Sequence, residues 1–351
     1  MCGCGALKTA KTLVTSGARH RAGCDLAAST MAHMPSSIDV VIVAHNRYEL
    51  TDSCLRHLRA QTIEHGVIVF ENASSDETRA RVQADWPGVA LECSDRNLGF
   101  AEACNRGVAA GSGAIVVLLN NDVDARPDFL ERLVAPLASD PAVGAVAALM
   151  LQPGEQLIDS AGLLADATLG GFPRLQGLSA GAAHSEQPVL AGPAGTAAAY
   201  RRSAWEQVGG LDETIFAYME DLDLALRLRS AGWKTVVAAD AIGVHLGSAT
   251  HGHRSASQRL HGGFARGYMM RRYRLLRGRR APRTFATEAV VVLGDLAISH
   301  DLAALRGRLS GWRAAAKRPH LPAPPADAID SAVSFRDSLA LRRGVYGRRA
   351  A

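Results

Sequence analysis

Long hydrophobic runs are missing from this 351-residue chain. A membrane-spanning helix needs ~18–20 uninterrupted apolar residues, and the best stretch, 286–298, is broken by Glu288 and Asp295. The expectation is a chain that does not cross a membrane. Zinc-site spacing and a dense disulfide framework are absent among the six cysteines, so reduced thiols in a cytoplasm are expected. No G-x-G-x-x-G follows the first apolar run and no G-x-x-x-x-G-K-[ST] occurs anywhere, which counts against a nicotinamide enzyme and a P-loop NTPase. The first ~35 residues lack the apolar core of a secretory signal. They read as a disordered leader, 1–36, and Met31 and Met34 stand just ahead of the first strand as alternative starts.

Acidic residues are missing from one segment. Residues 254–283 hold ten arginines and no carboxylate; setting those ten aside turns the net charge from +5 to −5. An acidic body with one basic segment excludes a general nucleic-acid binder and points to a local anionic partner, a membrane surface or phosphates. The length allows one large α/β domain with an appendage.

What is present alternates. Residues 38–44, 66–70, 89–91 and 114–119 read as strands, and helical patterning fills 49–60, 77–84, 97–111 and 128–138. Such alternation gives a doubly wound, mostly parallel sheet with helices on both faces. Ligands in these sheets sit beyond the carboxyl ends of the strands. Polar residues gather there: His45-Asn46, Glu71-Asn72 and Asn120 to Asp122. Any one cluster is ordinary turn chemistry; three on one edge indicate a site. A further apolar run, 143–150, precedes an irregular stretch to about Leu190 that includes Asp159-Ser-Ala-Gly162, the kind of insertion that forms a lid or faces substrate. Beyond His245, helices are expected over 255–280, 284–316 and 327–343.

The stretch 209–245 organises the rest. Its carboxylates, Asp212, Glu220, Asp221 and Asp223, crowd the start of a helix that runs to Gly232-Trp233, a short strand and His245. Acids at a helix start commonly serve only as caps and dipole partners.

Five segments in order carry a resemblance: VVIVAHNR (40–47), ENASSDET (71–78), NLGFAEACNRG (97–107), LLNNDVDARPDFL (118–130) and GGLDETIFAYMEDLDLALRLRSAGW (209–233) with its trailing His245. The chain resembles the family 2 glycosyltransferases of GT-A fold, among them the rhamnosyltransferase-like enzymes of bacterial cell-envelope assembly. The resemblance covers roughly residues 38–250, implying a catalytic domain over 37–250 and a basic helical extension over 251–351.

It also implies roles. Asp221 would be the general base of an inverting transfer, with Glu220 holding the acceptor or setting the base's pKa, and Asp212 and Asp223 structural. Asp122 is preferred over Asp124 as the metal carboxylate, and His245 is the second ligand of Mg²⁺ or Mn²⁺. A cation of this kind acts as a Lewis acid on a diphosphate leaving group. Val43, Ala44, His45, Asn46, Glu71, Asn72, Asn97, Gly99, Asn121 and Asp122 would line the nucleotide site, with Asn105 on the donor-side helix and Gly192 to Thr196 in the acceptor floor. His251 and His253 would lie in a flexible lid.

The implied partners are a nucleotide-sugar donor such as dTDP-rhamnose and a glycan or polyprenyl-linked acceptor. An anionic membrane would meet Arg266 to Arg283, with Phe264, Tyr268, Met269, Leu275 and Leu276 partly inserted, at the inner face of the plasma membrane. The competing classes are a nucleotidyltransferase, which would usually carry a glycine- and lysine-rich phosphate loop where AHNR stands, and an inactive nucleotide-sugar-binding relative.

Overall fold

The computed structural model describes residues 38–247 and 255–345. The leader expected over 1–36 and the loop histidines His251 and His253 lie outside the described residues. The described residues fall in one compact unit.

The first half follows the alternation read from the sequence: β1 (Ile38–Ala44), α1 (Tyr48–Arg59), β2 (Gly66–Asn72), α2 (Thr78–Asp85), β3 (Ala90–Ser94), α3 (Phe100–Ala110) and β4 (Ile115–Leu119). A three-residue β5 (Val123–Ala125) leads to α4 (Phe129–Ser139) and to β6 (Val143–Leu151), buried along its whole length. The stretch expected to be irregular holds β7 (Ile158–Ser160) and a hairpin of β8 (Leu163–Ala165) and β9 (Gly171–Pro173). Then come β10 (Ala197–Arg201), α5 (Arg202–Val208), α6 (Glu220–Ser230) and β11 (Lys234–His245). The tail is α7 (Ala256–Arg272), α8 (Ala281–Ser299), α9 (Ala303–Ala314) and α10 (Phe335–Arg342), the last shorter than the helix read over 327–343.

Among the described residues the main sheet runs β3-β2-β1-β4-β10-β6-β11-β5, with β7 beside β6. From β3 to β4 it is parallel. β10 then runs antiparallel to both β4 and β6, so the second half is mixed. The reason is local: β10 arrives from the insertion after β9 rather than from a crossover helix, and only a crossover returns a chain parallel. Alternate β1 residues enter two cores. Val40 and Ile42 pack toward α1 and α4, and Val41 toward α3 and α5. Burial on both faces explains the unbroken β-branched run.

The tail packs tightly for a reason readable in the sequence spacing. Gly263 and Gly267 of α7 lie against the carbonyls of Ala304 and Arg308, and Gly307 and Gly311 of α9 against those of Leu260 and Phe264. Small residues four apart on both helices let the two backbones touch. Tyr268 then donates to Asp212 Oδ2 (2.7 Å) and Tyr273 to Asp223 Oδ1 (2.9 Å), tying the tail to both flanks of the acidic stretch.

These contacts correct one expectation. Tyr268 and Met269 are fully buried and Leu275 nearly so, while Phe264 is partly buried against the cluster around Tyr268. Only Leu276 of that set is exposed, so these side chains fill the protein interior and are not free to enter a bilayer. Arg266 and Arg272 are buried as well, Arg266 on Glu288 at 2.6 Å.

Candidate active site

The carboxyl ends of β1, β2 and β4 converge. After β1, Asn46 and Arg47 both take left-handed backbone conformations, turning the chain sharply. Asn46 N–H donates to Ser74 Oγ (2.8 Å), and its Oδ1 accepts from Ser75 N–H (2.8 Å). His45 Nδ1 sits 2.9 Å from the Asn72 carbonyl, which makes Nδ1 the protonated nitrogen and leaves Nε2 toward Asn46 and Asn97. Asn72 Oδ1 accepts from Leu98 N–H (2.8 Å), and its amide donates to Asn97 and the Gly99 carbonyl. Glu71 is buried and accepts from Ser74 N–H (2.5 Å). The Glu71 and Asn72 side chains are thus engaged within the edge itself; His45, Asn46 and Asn97 retain exposed surface.

Gly99 has a positive φ of 81°, and the place of a Cβ there is taken by the Phe216 carbonyl and ring. Its requirement for glycine comes from this approach of the loop ahead of α6, whose Phe216 carbonyl also accepts from Phe100 N–H (2.8 Å). Asn105 binds the same loop, through the backbone of Leu211 and the carboxylate of Glu213.

After β4 the neighbouring side chains diverge. Asn121 turns inward to Thr51 Oγ1 (3.1 Å). Asp124 takes Ser53 Oγ (2.8 Å) and faces His57. Asp122 points to His245, whose Nε2 lies 3.5 Å from Asp122 Oδ1. The pairing of β5 with β11 produces this meeting, with Val123 opposite His245 and Leu246 N–H donating to the Asp122 carbonyl. Asp122 Oδ1 is buried and accepts no hydrogen bond. A buried carboxylate oxygen without a donor is costly. An imidazole nitrogen and an orphan oxygen at this separation can both reach one cation at about 2.1 Å, so the donor set fits Mg²⁺ or Mn²⁺. Among the described residues no cluster of three or more such side chains forms, leaving further ligand positions to a substrate or water.

The sequence reading missed the partner on the other side. Asp159 of β7 places Oδ2 2.9 Å from His245 Nδ1. Burial disfavours the imidazolium, yet Asp122 and Asp159 together raise the His245 pKa to about 9. The stretch 159–162 stood out in the sequence; nothing in its spacing tied it to a histidine 86 residues away.

Glu220 and Asp221 open α6 after two left-handed residues, Tyr218 and Met219. Asp221 is half-buried, with Oδ2 accepting from Gly195 N–H (2.9 Å) and Oδ1 from Leu222 N–H (2.7 Å). Glu220 is buried, and its Oε2 has no partner. Burial raises both carboxyls above their usual range; the Asp221 charge raises Glu220 further, while the two N–H donors oppose the rise at Asp221. Burial and the neighbouring charge thus favour the protonated form of Glu220, while the N–H donors favour the charged form of Asp221. Asp223 is fully buried on Arg227 (2.7 Å), and the partly buried Asp212 accepts from Tyr268. Thr196 accepts from Asn120 N–H (2.9 Å) while its neighbour Gly195 holds Asp221, so one short segment joins the β4 end to the head of α6. The sequence motifs therefore meet on one edge.

The family model for glycosyl transferase family 2 matches residues 39–209, the span that supplies this edge up to Thr196; Glu220, Asp221 and His245 lie beyond it. That match covers just under half of the chain's 351 residues. An N-acetylglucosaminyl-diphospho-decaprenol L-rhamnosyltransferase of Mycobacterium tuberculosis is 32% identical over 202 residues, 51% of this chain and 66% of the relative. The match thus spans just under two thirds of the relative's own length. A glucosyl-dolichyl phosphate glucuronosyltransferase of Haloferax volcanii is 31% identical over 116 residues, 32% of this chain and 37% of the relative. The structure of GalNAc-T7 with UDP, GalNAc and Mn²⁺ superposes with a TM-score of 0.56 at 14% identity, covering 90% of this chain and 58% of the other. That likeness establishes the GT-A fold.

Proposed function

We propose that this chain is an inverting family 2 hexosyltransferase that moves a sugar from a nucleotide-diphospho-sugar to a lipid-linked or glycan acceptor in a single displacement. The observation that carries it is the setting of Asp221. Its carboxylate is fixed by two backbone N–H groups beside the buried Glu220, on the edge that also holds Asp122 and His245. Each Asp221 oxygen accepts one hydrogen bond and keeps acceptor capacity.

The acceptor hydroxyl gives its proton to Asp221 as its oxygen attacks the anomeric carbon, and the carbon–oxygen bond to the diphosphate breaks on the opposite face. Positioning and one base suffice, with no covalent enzyme intermediate. Asp122 and His245 would hold Mg²⁺ or Mn²⁺, which supplies charge neutralisation for the departing diphosphate. The edge of Val43, Ala44, His45, Asn46, Glu71, Asn72, Asn97 and Gly99 is assigned to the nucleotide; Asn121 supports Asp122 from behind through Thr51. Gly195 both floors the acceptor site and fixes the base. Residues 37–250 carry the chemistry, and 251–351 buttress the acidic loop through Tyr268 and Tyr273.

The decaprenol- and dolichol-linked substrates in the relatives' names support a polyprenyl-linked acceptor, and the rhamnosyl relative makes dTDP-rhamnose the first donor to test. The test is a nucleotide-sugar panel with and without Mg²⁺ or Mn²⁺, following nucleotide diphosphate release. Cation-dependent release from one donor, lost in Asp221→Asn, is expected; release unchanged in that variant removes the base assignment.

A further inference from the structure

Helix α8 is built inside out. The residues it buries are Thr284, Thr287 and Glu288, and Glu288 bridges Arg266 (2.6 Å) and Arg308 (2.8 Å) beneath it. Its apolar residues face outward: Phe285 is 69% exposed and Leu293 64%, with Val290 and Leu296 also exposed. At about 100° per residue these four fall within about 140° of the circumference, one continuous stripe along the helix. A stripe of this kind on a folded surface marks something that covers it.

The turn leading into α8 identifies the occupant. Arg274, Arg277 and Arg279 are exposed there, around the exposed Leu276. An apolar helical face with arginines at one end suits the boundary between anionic headgroups and acyl chains, where a helix lies in the plane of the surface. Among the described residues no helix is long and apolar enough to cross a membrane, so α8 would rest on the bilayer rather than span it. We propose that the Phe285–Leu296 face of α8, with Arg274, Arg277 and Arg279, docks this chain onto an anionic lipid surface. The inference deepens the reading of a lipid-linked acceptor and moves the contact away from the buried faces of α7.

Sedimentation with phosphatidylcholine vesicles, with and without phosphatidylglycerol, tests it. The parent chain is expected to co-sediment with phosphatidylglycerol vesicles. Phe285→Glu/Leu293→Glu should lower the partition coefficient at least tenfold on either vesicle. Arg274→Gln/Arg277→Gln/Arg279→Gln should cost about a hundredfold on the anionic vesicles alone. These positions are exposed and outside the catalytic edge, so nucleotide diphosphate binding should be unchanged in both variants and reports that they fold. A parent that stays in the supernatant, or a Phe285/Leu293 variant that binds like the parent, overturns the docking surface. So does a dimer that the same variant dissociates, because a second copy would then cover the stripe. Vesicle binding that holds while every donor in the panel fails would instead leave the surface standing and remove the transferase reading.

Discussion

Asp159 Oδ2 lies 2.9 Å from His245 Nδ1, on the far side of the imidazole from Asp122. β7 and the end of β11 come from either side of the acidic stretch, and this hydrogen bond fixes which nitrogen faces Asp122. With Nδ1 donating to Asp159, Nε2 is the nitrogen directed to the place where a cation would touch both residues, and its proton is what a bound cation would displace. A carboxylate behind a ligating histidine orients the ring and increases its basicity.

Asp159→Ala should therefore weaken Mn²⁺ binding about 10–100-fold, measured by calorimetry in the presence of nucleoside diphosphate. Asp159→Asn, whose amide oxygen can still accept from Nδ1–H, should recover part of that loss. Asp122→Ala should abolish cation-dependent nucleotide binding, and Asp124→Ala should leave it intact because Asp124 is engaged with Ser53 and His57. Equal affinity in the parent and Asp159→Ala would show that β7 plays no part in holding the ion.

Asp221→Asn should reduce transfer by about 10²–10⁴ while nucleotide diphosphate binding stays within a small factor. The amide keeps the shape and one acceptor for the Gly195 N–H, so a lost proton acceptor is the main change. If binding and transfer fell together, the residue would be holding the fold of the edge rather than taking a proton.

The strand ends were legible because buried parallel strands announce themselves as β-branched runs, and polar residues after them have few other places to go. Motif register set Asp122 apart from Asp124, and in the structure Asp122 faces His245 while Asp124 turns to Ser53 and His57. Two features were not legible, and a third was legible but misread. The antiparallel entry of β10 depends on where a long insertion returns, which no local periodicity records. Asp159 acts across a long sequence separation, and its neighbours carry no metal-site spacing. The tail read as a basic helix, but its glycines four apart on α7 and α9 draw the two helices together and carry Tyr268 and Met269 inside. That repeated spacing was the available signal, and it pointed to packing rather than to a lipid face.

Gly192 shows how closely the segment 192–196 lies on α6. A Cβ at this position would run into the Ala225 side chain, with backbone behind it. Neither partner is a flexible side chain that can swing aside, so Gly192→Ala should destabilise the fold by about 1–3 kcal/mol. Thermal unfolding reads this directly. The compensating Ala225→Gly in the same chain should restore most of the loss; failure to do so would place the strain elsewhere.

Glu220 gives a pH dependence whose sign follows from its burial. In the unfolded chain this carboxyl titrates near its ordinary 4.5; in the folded chain burial and the Asp221 charge raise that value. Between the two, the folded state holds a proton that the unfolded state has released, so stability falls as pH rises across that window. Glu220→Gln carries no titrating group there. Its unfolding temperature should gain on the parent's from about pH 5 upward, and the gap should level off once the parent's carboxyl is ionised in the fold. Because the working pair has Glu220 neutral and Asp221 charged, the glutamine variant should also keep transfer within about tenfold and lose the parent's decline on the alkaline side. A stability gap that stays flat with pH, together with an unchanged alkaline limb, would mean that Glu220 is ionised beside Asp221 and that the proton is held elsewhere.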